Sequence, residues 1–170
     1  FLSNRGKLFG CGSTAKGKLG FISSVDLDTP FEIPFQHGNI VAVACGAEHT
    51  MVINESHELY GSGCNVRGQL GLCHMRAVAE FTKVVCSSPV QFVTCGSDFT
   101  IFQTADYAFW GVGNNTQGTL GLNHTVTWSR PSLIRSKIFT LWKQKGFDIQ
   151  VECGAAHTVF YAQQSPHAQI

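Results

Sequence analysis

One motif recurs three times along this chain: Gly10-x-Gly12-x4-Gly17-x-Leu19-Gly20, Gly61-x-Gly63-x4-Gly68-x-Leu70-Gly71 and Gly111-x-Gly113-x4-Gly118-x-Leu120-Gly121, with starts 51 and 50 residues apart. A second motif keeps step with it: Val43-x-Cys45-Gly46-x-x-His49-Thr50, Val93-x-Cys95-Gly96-x-x-Phe99-Thr100 and Val151-x-Cys153-Gly154-x-x-His157-Thr158. A fixed period of this size means that each unit is one supersecondary structure, which buries its apolar face only against its neighbours.

The clearest unit begins at Ile40. Ile40–Cys45 is a short apolar, β-branched run closed by Gly46, the pattern of a strand buried on both faces. Thr50–Ile53 reads as a second strand, Asn54–His57 as a polar turn, and Glu58–Gly61 as a third strand. The glycines that follow call for positive φ or for close backbone approach. Ten residues beyond each closing glycine stand Pro30, Phe81 and Pro131, each followed by a short apolar segment, which leaves room for a fourth strand. Four short antiparallel strands per unit predict an all-β fold of about three β-propeller blades, because radial repetition leaves only short, protected edges. The expected units are approximately 7–39 (partial), 40–89, 90–147 and 148–170 (partial), within a single propeller segment.

Composition narrows the function classes. A formal charge of +1 gives no overall basic field for nucleic acid or an anionic membrane. No run approaches the roughly 18 apolar residues of a membrane span, and Phe1–Lys7 does not read as a signal peptide. Seven cysteines is an odd number, and Cys45, Cys95 and Cys153 share one repeat position in different units. They read as small buried side chains in a reducing, intracellular compartment. The sequons at Asn54, Asn114 and Asn123 are taken as chance on that reading.

Apparent chemistry dissolves against the repeat. Gly12-x4-Gly17-Lys18 has phosphate-loop spacing, but Leu19 stands where Ser or Thr would hold magnesium, and Gln69 and Thr119 replace Lys18 in the other copies. Cys45-x3-His49 and Cys153-x3-His157 resemble zinc half-sites, yet the middle copy has Phe99, and a structural site needs about four converging ligands. Each histidine is expected to hydrogen-bond backbone near the blade core. Glu48, Asp98, Asp106 and Glu152 are expected on solvent-facing bends, and Trp110 as a blade-packing aromatic. No catalytic residues, cofactor or metal are expected.

Where the copies disagree, loops have diverged. The closing glycine precedes the next Val-x-Cys-Gly by 23 and 22 residues in two units and by 30 in the third. The extra residues fall in Arg135–Asp148, which carries Arg135, Lys137, Lys143 and Lys145 with Ile138, Leu141 and Trp142, just after Arg130. This segment could anchor an acidic partner or a nucleic-acid backbone, or it could cover a blade edge as an extended loop or short helical turn. Lys16, Arg67 and Gln117, on the bends between framing glycines, are further contact candidates. Asp26, Asp28 and Glu32 make an acidic connection in the first unit.

Tyr60-Gly61-x-Gly63-x4-Gly68-Gln69-Leu70-Gly71, preceded by Val43-x-Cys45-Gly46-x-x-His49-Thr50, resembles the repeat of the regulator of chromosome condensation family. The resemblance runs from about Lys7 to Tyr161. It implies a ring of seven blades; this chain, beginning at a third strand, is expected to be an arc of such a larger propeller or to close with material outside this sequence. The founding member of that family is a guanine-nucleotide exchange factor for a Ran-type GTPase, a role that depends on a wedge no segment here matches. Other members work in cilia, mitochondrial assemblies and ubiquitin ligases. The expectation is therefore a non-enzymatic scaffold that binds protein partners, in a large assembly or with a small GTPase, in the cytoplasm (cytoskeletal or ciliary) or the nucleus. Exchange activity is the alternative, nucleic acid the weaker partner, and no membrane is implied.

Overall fold

The computed structural model describes residues 1–164; the end of the expected unit 148–170, residues 165–170, lies outside the described residues. The strands are β1 (Phe9–Gly12), β2 (Leu27–Glu32), β3 (Ile40–Cys45), β4 (His49–Asn54), β5 (Leu59–Gly63), β6 (Val78–Lys83), β7 (Val90–Cys95), β8 (Phe99–Thr104), β9 (Phe109–Gly113), β10 (Trp128–Leu133), β11 (Phe147–Cys153) and β12 (Thr158–Gln164). One helix, α1 (Lys137–Gln144), lies between β10 and β11. Two four-stranded sheets, β3-β4-β5-β6 and β7-β8-β9-β10, stand between the pairs β1-β2 and β11-β12. Every pairing is antiparallel. These are propeller blades, and the fourth strand falls on Pro30, Phe81 and Pro131 as the spacing requires.

Three apolar clusters make the core, and each spans two neighbouring sheets. Met51, Ile53 and Leu70 pack on Val90, Val93 and Phe102; Val52 and Tyr60 pack instead toward Leu8 and Ile33; Ile101 and Leu120 pack on Ile149 and Val151. Alternate residues of β4 thus face opposite neighbours, so all six are buried. The strand expected to be buried on both faces was the wrong one. In β3 only Ile40 is buried, and Val41 is 52% exposed. The first strands β3, β7 and β11 touch each other in succession and form the inner edge of the arc, where one side stays open. For the same reason Cys45 is exposed and Cys95 and Cys153 are half-buried, against the expectation of buried thiols, although burial pushes the thiol pKa up at both Cys95 and Cys153.

The chain also starts earlier in the blade pattern than a third strand. Phe1 and Phe9 exchange backbone hydrogen bonds (Phe9 N to Phe1 O 2.7 Å), and Leu2 bridges Leu8, as the end of a second strand would.

Both uses of glycine occur. At Gly46, Gly96 and Gly154 an added Cβ would come within 2.1, 2.0 and 2.2 Å of the rings of His49, Phe99 and His157. Gly68 combines φ of +77° with a Cβ position 2.4 Å from Ser129 Cα on the next blade.

Candidate interaction surface

The two ends of a blade are built differently. After β5 and β9 the chain bends back beside the turns joining first and second strands, with Cys64 N donating to Glu48 O (2.7 Å) and Asn114 N to Asp98 O (2.8 Å). The connections between blades lie at the opposite end, beside the turns joining second and third strands. There Glu55 N donates to Asn39 O and Ala105 N to Pro89 O, both at 2.8 Å. The candidate contact residues divide accordingly. Lys16, Arg67 and Gln117 occupy successive bends on one face; Arg135, Lys137, Trp142, Lys143 and Lys145 belong to the connection on the other. Arg130 is on β10 and borders a separate groove with Cys86 and Pro131.

Polar groups on the bend face are engaged within each bend and between blades. Asn65 donates to His74 O (2.8 Å) and accepts from Leu70 N (3.0 Å), and Asn115 repeats this with His124 and Leu120. At each junction a threonine hydroxyl donates to the preceding blade: Thr50 to Lys18 O, Thr100 to Gln69 O and Thr158 to Thr119 O, at 2.7 to 2.8 Å. Glu48, expected in solvent, instead meets Lys18 Nζ at 3.0 Å and Lys16 Nζ at 3.7 Å. The hydrogen bond from Lys18 holds its carboxyl below the ordinary glutamate range. The phosphate-loop lysine is thereby paired with a carboxylate. Of the other acids, Asp106 and Glu152 are exposed, while Asp98 is half-buried.

His49 departs from expectation. His49 is 1% exposed, and its Nε2 meets the Thr100 hydroxyl at 3.0 Å, a side chain rather than backbone. Burial pushes its pKa down to about 4. Cys45, at the open inner edge, is not brought together with it into a metal site; among the described residues no group of three or more His, Cys, Asp or Glu could hold a metal ion. No helix among the described residues is long and apolar enough to cross a membrane.

The long connection folds as α1. Ser136 Oγ caps it by accepting from Ile138 N (3.3 Å), and Gly146, with φ of +76°, ends it. Its inward side is aromatic. Phe139 lies 4.9 Å from Phe160 and 5.6 Å from Phe109 between ring centroids, and Trp142 lies 6.4 Å from Phe139. Lys143 Nζ donates to Tyr107 O (2.9 Å) and sits 5.6 Å from the Tyr107 ring centroid, a cation–π position. Trp142 therefore packs on the blades, as does half of the segment. The outward side carries Ile138 and Leu141, each 46% exposed, with exposed Arg135, Lys137 and Lys145 around them.

Comparison with known proteins agrees with this architecture. A family profile described as "Regulator of chromosome condensation (RCC1) repeat" matches residues 5–53, and a second of the same description matches residues 40–69. The human Protein RCC2 is 36% identical over 72 residues, 42% of this chain and 14% of that protein. The mouse secretion-regulating guanine nucleotide exchange factor is 36% identical over 77 residues, 44% of this chain and 17% of that protein. The crystal structure of Prp20p from Saccharomyces cerevisiae superposes with a TM-score of 0.81 at 18% identity, covering 98% of this chain and 42% of that one. The chain thus spans under a fifth of these curated relatives and about two fifths of the solved propeller. Residues 5–69 thus match repeats of the regulator of chromosome condensation (RCC1) description, and the recurring motifs and blade topology carry the same repeat architecture through the rest of the described chain.

Proposed function

We propose that this chain is a non-enzymatic protein-interaction module, a single propeller segment that contributes a basic, apolar contact surface to a larger assembly. The observation that carries this reading is α1. Among the described connections between blades only this one forms a helix. Its aromatic side is spent on packing, while Ile138 and Leu141 remain outward among Arg135, Lys137 and Lys145. A fixed apolar pair within a basic rim suits a partner surface that is apolar at its centre and acidic at its edge. The bend-face residues Lys16, Arg67 and Gln117 are a second, weaker set, since Lys16 is drawn toward Glu48. Seven free thiols fit an intracellular, reducing compartment, in the cytoplasm or nucleus.

The test is gradient sedimentation of a gentle extract, with the chain either wild type or carrying Lys137→Glu with Lys145→Glu. Co-migration with a large complex at fixed stoichiometry, lost in the variant while its melting transition is kept, supports the module. A small complex that the charge reversal does not disturb removes α1 from the interface.

A second reading has its own support. One relative is named a guanine nucleotide exchange factor, and Prp20p is described with binding to Gsp1p and histones. An exchange factor stabilises the nucleotide-free GTPase over the bound form. Accelerated nucleotide release by substoichiometric chain would favour this reading; stoichiometric binding without release would favour the scaffold.

A further inference from the structure

We infer that the groove at the middle blade junction is a docking pocket for an aromatic side chain of a protein partner, whose neighbouring carboxylate meets Arg130. The inference goes beyond the α1 surface, one junction away, and stands without it. At the first junction the connection places Phe35 over the next blade, edge-on to Tyr60 (5.3 Å) and Phe81 (5.6 Å); those two are 4% and 7% exposed. At the third junction the connection also supplies an aromatic ring: Phe139, three residues beyond the repeat equivalent of Phe35, packs between Phe109 of one blade and Phe160 of the next. At the middle junction the repeat position of Phe35, fifteen residues beyond the closing glycine, is Cys86.

A thiol cannot cover what a phenyl ring covers. The result is a groove of about 490 Å³ lined by Cys73, Cys86, Phe102, Trp110, Arg130 and Pro131, among others. That lies within the roughly 300–1,000 Å³ of ligand clefts. Trp110 and Pro131, at the positions of Tyr60 and Phe81, are left half-buried. The floor is preformed: the Trp110 ring lies nearly parallel to Phe102, at 11° and 6.5 Å, and its Nε1 donates to Thr104 Oγ1 at 3.0 Å. The chain's own solution at the two flanking junctions identifies the missing piece as an aromatic ring packed on aromatic neighbours. Arg130, where the preceding blade has Glu80, is exposed and makes no ion pair among the described residues. It gives the occupant a negative charge beside its ring.

The probe is a fluorescein-labelled heptapeptide, Gly-Ser-Asp-Phe-Asp-Ser-Gly, compared by anisotropy with its Phe→Ala version. The wild-type chain is expected to favour the Phe peptide by about tenfold or more, the scale of a single anchor residue. Cys86→Phe, which supplies the ring internally, is expected to abolish that preference, and Arg130→Glu to weaken the Phe peptide by about tenfold. Absence of a Phe preference in the wild type overturns the inference, as does a preference that Cys86→Phe leaves intact. If Cys86→Phe does not fold, the exposed Arg130→Glu variant decides, and unchanged affinity there is the negative result.

Discussion

His49 Nε2 lies 3.0 Å from Thr100 Oγ1 across the boundary between two blades. Thr100 has already given its proton to Gln69 O, at 2.8 Å, so its oxygen accepts and Nε2 must carry the hydrogen. The imidazole is thereby fixed as the neutral Nε2–H tautomer, with Nδ1 buried and unpartnered. Three residues on two blades share one relay, and each position recurs along the chain.

A pH dependence follows from that relay. Burial holds the folded His49 pKa at about 4, below its ordinary value of 6.5. Between those values the unfolded chain binds the extra proton, so this contribution is whole above pH 6.5 and is lost as pH falls toward 4. The full swing is about 3 kcal/mol. Urea midpoints measured from pH 7.5 to 4.5 should fall steeply for the wild type and less for His49→Phe, which copies Phe99 of the next repeat. Equal slopes for both proteins would rule out His49 as the source.

Thr100→Val should be among the costliest single changes at a junction. It strands both Gln69 O and His49 Nε2 in a buried site, a loss of about 2–4 kcal/mol. Thr158→Val removes the bond to Thr119 O and a long contact with Cys153 Sγ (3.9 Å), strands no histidine, and at a half-buried position should cost about 1 kcal/mol. Denaturant unfolding distinguishes them; equal losses would mean that the histidine end of the relay contributes nothing.

Two glycines with nearly the same backbone separate conformational strain from packing. Gly68 (φ +77°) faces Ser129, and Gly118 (φ +73°) has nothing within 4 Å of its added Cβ. Alanine at either position bears the strain of a left-handed residue, but only at Gly68 does it also force two blades apart. Gly68→Ala should therefore be more destabilising than Gly118→Ala by about 1–3 kcal/mol. Melting curves that coincide would mean that the junction yields to the methyl group.

The repeat made the blades legible because glycines, prolines and alternating apolar residues encode local geometry that recurs. It did not reveal which strand is innermost. Ile40–Cys45 is as apolar as Met51–Ile53, and only the ring's curvature leaves one side of β3 open while closing both sides of β4. The separation of Lys16, Arg67 and Gln117 from the α1 residues was hidden for a similar reason, since spacing does not say at which end of a blade a loop emerges. The basic insertion was visible as eight or so additional residues, but its burial of Phe139 and Trp142 was not. Cys86 was legible only in retrospect, as a small residue where the neighbouring unit has Phe35.

The two sides of α1 should respond to mutation independently. Phe139 joins the helix to Phe109 and Phe160, and removing its ring opens a gap between two blades, so Phe139→Ala should cost about 1–3 kcal/mol for this half-buried site. It should also expose the connection 135–146 to limited proteolysis, because little else but the Lys143–Tyr107 bond and the packing of Trp142 on the apolar cluster around Ile149 fastens that segment. Lys137→Glu with Lys145→Glu touches no packed atom and should move the melting point by no more than a surface change does, within about 0.5 kcal/mol. If the charge reversal alone loosens the helix to protease, the lysines hold it to the blades, and the outward face is part of the fold rather than a surface left for a partner.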